Sequence, residues 1–124
     1  MRLLLPLLCL PLPALAQGDV DCANTSIQAE LNYCAALDYE AADAELNAAY
    51  AAAVEVARSY DGEQEALLRA AQRAWIAFRD AACSAEASLV DGGSMQPMVG
   101  SGCLARLSLE RAEDLRSYAE VGGY

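Results

Sequence analysis

The sequence predicts an all-α fold, and three observations support that prediction. From residue 17 onward the chain is rich in alanine and almost free of β-branched residues, which favours helix over strand. The helix breakers gather at two places, Asp61-Gly62 and the segment 92–102, and so divide the chain into three helical stretches. Four cysteines are available to staple these stretches: Cys22, Cys34, Cys83 and Cys103. The expected architecture is an antiparallel helical hairpin plus a shorter third helix, stapled by disulfides.

The first helix is expected from about Thr25 to about Ser59. Asn24-Thr25-Ser26 offers N-cap side chains, and Glu30 lies close to the capping-box position for either hydroxyl. No glycine or proline interrupts the stretch. Small and apolar residues recur at helical spacing and predict the buried face: Leu31, Ala35, Ala42, Leu46, Ala49, Ala53 and Ala57.

The second helix is expected from about Glu63 to Leu89 and the third from about Ser101 to Ala119, with residues 92–102 as an ordered loop between them. The predicted apolar face of the second helix consists of Leu68, Ala71, Trp75, Phe78 and Ala82. The predicted apolar face of the third helix consists of Leu104, Leu107, Leu115 and Tyr118.

Residues 1–16 have the features of a secretory signal peptide. Arg2 supplies the positive charge, residues 3–12 form a short apolar run, and Ala14-Leu15-Ala16 is a small-x-small cleavage site. We therefore expect one mature domain, residues 17–124, in the periplasm or outside the cell. A lipid-anchored alternative needs a cysteine at the cleavage site, whereas Cys9 lies in the middle of the leader. No second apolar stretch of the sequence is long enough to span a bilayer.

Loss of Cys9 with the leader leaves an even number of cysteines, as two disulfides in an oxidising compartment require. A zinc site is the alternative, but the spacings contain no CxxC pair. Four cysteines allow three pairings. Sequential pairing, Cys22–Cys34 and Cys83–Cys103, ties each irregular segment to an adjacent helix. The runner-up crosses the hairpin and pairs Cys34 with Cys83 or Cys103.

The chain has 18 acidic and eight basic residues and no histidine. Once Arg2 leaves with the leader, 18 acids face seven arginines and the net charge falls from −10 to −11. Such a charge opposes binding to nucleic acid or anionic lipid and attracts cationic partners, although it also serves solubility. Without histidine the chain lacks the usual general base and the commonest metal ligand. We therefore expect no enzyme activity, no metal and no other cofactor.

Polar residues interrupt the predicted inward faces of all three helices. They are Asp43, Asn47, Tyr50, Gln72, Arg79 and Arg111. If the hairpin turns at Asp61-Gly62, residues that face each other have numbers that sum to about 123, which places Asp43 beside Arg79. We expect a structural network in which Asp43 pairs with Arg79 or Arg111 and the uncharged members supply the remaining hydrogen bonds. The alternative is a functional site centred on the Asp43 carboxylate.

The segment 92–98 combines two glycines with two methionines, Met95 and Met98. Flexible, methionine-rich surfaces suit partner binding, so these two side chains are the candidate contact for a partner. The alternative is a structural connector whose methionines pack inward.

The same motifs resemble the LprI-like lysozyme-inhibitor domain, a family of small exported bacterial proteins. Three blocks carry the resemblance, and together they span about Cys22 to Arg116. They are Cys34, Ala42-Asp43, Leu46-Asn47 and Tyr50; then Ala71-Gln72-Arg73-Ala74-Trp75, Phe78-Arg79-Asp80 and Cys83; then Gly92-Gly93-Ser94-Met95, Cys103-Leu104, Glu110-Arg111 and Leu115. The chain departs from the lipoprotein that gives the family its name, because it lacks a lipid-attachment cysteine.

The resemblance implies a binding protein that inhibits a cationic lysozyme or a related murein hydrolase by protein–protein contact. It supplies no inhibitory residues, because the family has no settled inhibitory motif. The alternative is an envelope module, associated with stress or assembly, that has no inhibitory activity.

Overall fold

The computed structural model describes residues 19–122, which form three α-helices. They are α1 (Gln28–Arg58), α2 (Gln64–Ser88) and α3 (Gln96–Val121). No strand is present in this range. The all-α, disulfide-stapled architecture is therefore confirmed. The predicted leader, residues 1–16, lies outside the described residues.

Helices α1 and α3 run parallel to each other. Helix α2, which lies between them in the sequence, runs antiparallel to both. At one end the Asn32 side chain donates a hydrogen bond to the Ser94 carbonyl just before α3 (3.0 Å). At the other end the Tyr60 hydroxyl donates to the Gly122 carbonyl just after α3 (2.9 Å). These ties hold two helices of similar length side by side, and α1 packs more extensively on α3 than on α2.

The contact between α1 and α3 consists mainly of small side chains, and we call it the α1–α3 seam. On α1 its buried members are Ala42, Leu46, Ala49, Ala53 and Ala57; on α3 they are Ala105, Ser108, Ala112 and Leu115. Alanine and serine at steps of three and four residues let two helix backbones approach closely. The alanine stripe predicted on the first helix is confirmed, and its partner is the third helix rather than the second.

The buried face of helix α2 differs from the seam, because it includes long polar side chains. Its buried residues are Leu68, Gln72, Arg79 and Cys83, so only Leu68 is a large apolar side chain. Trp75 is half-buried against the core. The expectation that Ala71 and Phe78 face inward is wrong, since both are exposed. The disulfide at Cys83 and the ion pairs of Arg79 set the rotation of α2 about its axis, and that rotation turns Phe78 outward.

The expected boundary of the third helix is also wrong. Helix α3 begins at Gln96 instead of near Ser101, because Pro97 in its first turn has a backbone that suits a helix start. The connecting turn is correspondingly shorter, and Gly92 adopts a left-handed conformation within it (φ 73°). With 26 residues, α3 is shorter than α1 but not shorter than α2, which has 25.

Both disulfides follow the sequential pairing. Cys22 is joined to Cys34, and Cys83 is joined to Cys103, with Cα–Cα distances of 5.7 and 5.4 Å. The first holds the entry segment against α1, and the second links the end of α2 to α3. The expected capping box does not form, because α1 begins at Gln28 after Ile27, which has no side-chain cap; the Thr25 hydroxyl instead donates a hydrogen bond to the Glu30 carboxylate.

Candidate functional site

Arg79 is the centre of a polar cluster between α1 and α2. Its guanidinium lies over the rings of Trp75 and Tyr39, with distances of 5.3 and 5.8 Å to the ring centroids. It pairs with Asp80 at 2.9 Å and with Asp43 of α1 at 3.9 Å. The side chain of Arg79 is 10 % exposed. Two carboxylates and two aromatic rings thus compensate a cation that has left water.

Asp43 takes the position that the register argument gave it, opposite Arg79 rather than Arg111. The Asn47 side-chain amide donates to the Asp43 carboxylate at 3.1 Å. Asp43 remains 43 % exposed, however, so only the arginine of the pair is buried. A carboxylate that contacts an amide of its own helix and a guanidinium of α2 is suited to hold α1 against α2.

The other predicted members of the network lie apart from Arg79. Arg69 donates to the Tyr50 hydroxyl at 3.4 Å and to Glu65 at 2.8 Å. The hydrogen bond from Arg69 holds the pKa of Glu65 below its usual value of 4.5, and Arg58 adds to this effect. Arg111 donates to Gln72 at 3.0 Å. The single expected network is therefore three local groups that follow the edges of α2.

Sequence analysis missed three members of these groups: Tyr39, Glu65 and Arg69. Tyr39 precedes Asp43 by four residues, so helical spacing alone places it on the same face. Arg69 and Tyr50 have numbers that sum to 119, close to the hairpin register of about 123. Both signals were present in the sequence. The sequence did not show which of several nearby arginines bonds each polar side chain.

The two candidate methionines do not lie on one loop. Met95 ends the connection between α2 and α3 and is 39 % exposed. Met98 lies within the first turn of α3, is half-buried, and accepts a weak hydrogen bond from Gln28 of α1 (3.8 Å). The expectation that one loop carries both side chains is wrong, because α3 begins at Gln96 and holds Met98 against α1.

The surface carries a large excess of unpaired negative charge. Eight of the 18 acidic residues form ion pairs with arginine among the described residues. Ten others do not, and nearly all of them are exposed: Asp19, Asp21, Glu30, Asp38, Glu40, Asp61, Glu63, Asp91, Asp114 and Glu120. Within residues 19–122 no three acidic or cysteine side chains gather as metal ligands would. The negative surface is thus spread around the molecule.

A groove of about 410 Å³ lies between the first half of α2 and the second half of α3. Its lining is Gln64, Leu67, Leu68, Ala71, Arg111, Asp114, Leu115 and Tyr118. Apolar carbon dominates this lining. The groove suits an apolar side chain from another molecule better than a polar substrate. In the part of the chain that the structure covers, no helix has the length and hydropathy needed to cross a membrane.

Comparison with known proteins gives the family. A family model described as "Lysozyme inhibitor LprI" matches residues 21–115, a range that includes the four disulfide-bonded cysteines and most of each helix. An uncharacterized protein of Rhizobium meliloti (strain 1021) is 43 % identical over an alignment of 126 positions, and the alignment covers 92 % of this chain and 90 % of that protein. No solved structure matches the chain. The resemblance found in the sequence motifs is confirmed: the chain belongs to the LprI lysozyme inhibitor family.

Proposed function

We propose that the protein is an exported binding protein that inhibits a cationic lysozyme or a related murein hydrolase by protein–protein contact. The observation that carries this proposal is the family match over residues 21–115, since the family is described as a lysozyme inhibitor. The acidic, disulfide-linked helical scaffold supports it. Export to the compartment where murein lies follows from the leader features of residues 1–16.

Electrostatics explains how such a protein finds a basic enzyme. Ten acidic side chains that lack an ion pair in the described range leave a negative field around the whole molecule. A field of this kind accelerates encounter with a cationic partner, and salt screens it beyond about 8 Å at physiological ionic strength. Charge therefore favours the encounter, whereas lasting inhibition needs an apolar contact that salt does not weaken.

Met95 is the proposed apolar contact. It is exposed at the connection between α2 and α3, where the left-handed Gly92 allows a tight turn. Asp91 lies four residues earlier on the same connection and carries one of the unpaired carboxylates. A flexible thioether beside a carboxylate fits an enzyme surface on which apolar and basic groups alternate. Met98 contributes less, because it is half-buried against α1.

The test is inhibition of a cationic lysozyme acting on murein, measured at low and at high salt. We expect inhibition that weakens with salt but persists, and that falls for Met95→Asp. Leu109→Asp is the matched control, because Leu109 has similar exposure (43 %) on α3 and the substitution adds the same charge. Inhibition that vanishes at moderate salt, as for any protein of similar charge, would contradict the proposal.

Export is tested separately, by the intact mass of the protein made in its native host. We expect a chain that begins at Gln17 after cleavage behind Ala16. A mass that retains residues 1–16, or a lipid on Cys9, would contradict this part of the proposal.

The second candidate function is an envelope interaction module without inhibitory activity. The specific observation in its favour is the exposure of three large apolar side chains, Leu67 and Phe78 of α2 and Leu89 just after it, which an electrostatically guided inhibitor does not require. The two functions are distinguished by the same assay, because the module would leave lysozyme fully active at every salt concentration.

A further inference from the structure

The outward surface of α2 carries an apolar stripe that no other element of the described chain covers. It runs from Leu67 to Leu89, the residue that directly follows α2 and keeps helical backbone angles. Its three large side chains are well exposed: Leu67 by 64 %, Phe78 by 60 % and Leu89 by 83 %. A contiguous apolar surface of this kind on a highly charged protein marks an interaction site.

The stripe is symmetric about Phe78. Its seven positions, in order, are Leu67, Ala71, Ala74, Phe78, Ala82, Ala85 and Leu89. On each side of Phe78 a leucine lies 11 positions away, one alanine lies seven positions away and another lies four positions away. At about 100° per residue, all six side chains point within about 40° of the direction of Phe78 around the helix. Except for the half-buried Ala82, all are exposed.

This symmetry has a structural consequence. The order of side chains is the same in both directions, so a second α2 packed antiparallel about a two-fold axis at Phe78 meets leucine with leucine and alanine with alanine. An isologous interface requires this self-complementarity, because the same patch serves both copies. The alanines on either side of each phenylalanine leave room for the ring of the other copy.

Charge selects the second copy over a cationic enzyme as the occupant. The charged residues of α2 are Glu65, Arg69, Arg73, Arg79, Asp80 and Glu86, and each points at least about 80° away from Phe78 around the helix. Two acidic copies can therefore meet along the stripe without placing like charges in contact. A basic partner, by contrast, would find no carboxylate on the stripe to pair with.

The groove between α2 and α3 extends the same surface. Leu67 belongs both to the stripe and to the groove, whose opposite wall includes Leu115 and Tyr118. In the antiparallel register Leu89 of the second copy lies level with Leu67, at the mouth of this groove, and the two-fold axis repeats the contact at the other end. A helix of 25 residues is about 37 Å long, so the interface buries on the order of 1,000 Å² in total.

We infer that the protein forms a weak, two-fold symmetric homodimer through the outward stripe of α2, with its axis at Phe78. The area lies at the lower limit of specific interfaces, where weak and transient associations are found. The inference goes beyond the proposed function and does not depend on it.

The first experiment measures mass against concentration by sedimentation or light scattering, with both disulfides intact. We expect dimer at high concentration and a dissociation constant at least about tenfold weaker for Phe78→Asp, since a carboxylate would face its own copy at the axis. Tyr33→Asp is the matched control, because it removes an exposed aromatic residue of α1. Unchanged circular dichroism of both variants excludes unfolding. A monomer at every concentration, or equal loss of dimer in both variants, would overturn the inference.

The salt dependence of dimerisation is an independent test. Both copies carry a net charge near −10, so their repulsion opposes dimerisation and screening relieves it. Dimerisation should therefore strengthen with added salt, while binding to a cationic enzyme should weaken. Association that weakens with salt would contradict an apolar interface between like-charged copies.

The register is tested by single cysteines added to the stripe. In the proposed dimer Ala71 of one copy lies level with Ala85 of the other, but it lies about 21 Å along the axis from its own equivalent. Under mild oxidation a mixture of Ala71→Cys and Ala85→Cys proteins should form a disulfide-linked heterodimer, and neither protein alone should cross-link. Cross-linking of Ala71→Cys to itself would indicate a different interface.

Discussion

The α1–α3 seam and the inner face of α2 bury side chains of opposite character. The seam is made of alanine, serine and leucine, and it includes Ala53 and Ala112, which are completely buried. The inner face of α2 buries Gln72 and Arg79 and is fastened by the Cys83–Cys103 disulfide. Close packing thus holds one pair of helices, whereas specific polar and covalent contacts hold the third.

The difference separates two ways to place a helix. In the seam, stability depends on volume, because closely packed backbones leave no room for larger side chains. On α2, stability depends on particular partners, and the helix rotates to satisfy them. That rotation leaves Leu67 and Phe78 in solvent, although an apolar face would otherwise turn toward the core. Substitutions in the two regions should therefore fail in different ways.

Loss of the Cys83–Cys103 disulfide should have the largest effect. Replacement of both cysteines by serine should lower the free energy of unfolding by about 3 kcal/mol, because the bridge closes a loop of about 20 residues and holds α2 to α3. The matched change at Cys22 and Cys34 should cost less, since that bridge holds only the entry segment. Urea unfolding measures both, and an equal loss would show that α2 does not depend on its covalent link.

Overpacking of the seam should come next. Ala53→Leu adds three carbons where no space is available and should lower the free energy of unfolding by about 2 kcal/mol. Ala48→Leu, on the exposed side of the same helix, should have almost no effect. Thermal melts of the two variants check this. If Ala53→Leu melts like the unchanged protein, the seam is looser than its burial indicates.

Arg79→Ala should destabilise the protein by about 1.5 kcal/mol, through lost packing between Tyr39 and Trp75 and a lost cation–π contact. Asp43→Ala should cost only about 0.5 kcal/mol, because the Asp43 side chain is 43 % exposed and Arg79 keeps Asp80. Asp43→Asn should cost no more than this. A loss of partner binding by Asp43→Ala at unchanged stability would instead make Asp43 a contact residue.

Replacement of Ser108 within the seam should stabilise the protein. Its hydroxyl is fully buried and has no hydrogen-bond partner among the described residues. Ser108→Ala removes an unsatisfied polar group at almost the same volume, so it should raise the free energy of unfolding by up to about 1 kcal/mol. A clear rise in thermal midpoint is the expected result, and a fall would reveal a hydrogen bond that the buried hydroxyl makes in solution.

The smallest effect should be a pH dependence at the contact between α1 and α2. The hydrogen bond from Arg69 lowers the pKa of Glu65 below 4.5, so this stabilisation is present above about pH 4.5 and is lost as the pH falls through the lower pKa of the folded state. The thermal midpoint should therefore vary less with pH in this range for Glu65→Gln than for the unchanged protein. Identical pH profiles would show that the Glu65 pair is too solvent-screened to matter.

Much of the fold followed from local signals. Alanine content, the break at Asp61-Gly62 and helical spacing located the three helices, and the register sum placed Asp43 beside Arg79. The prediction of a loop over residues 92–102 is wrong for a local reason as well, because Pro97 suits the first turn of a helix as well as a loop. The proposed contact residue that remains exposed is therefore Met95.

The sequence by itself determined the helices, their approximate ends, the four available cysteines and the acidic charge, because these depend on residue type and on spacing within one helix. Only the tertiary structure decided that α1 packs mainly on α3, that Phe78 faces solvent and that Arg79 is enclosed by Tyr39 and Trp75. These outcomes depend on how each helix rotates about its axis. That rotation is a balance of contacts with two neighbours at once, which spacing along a single helix does not encode.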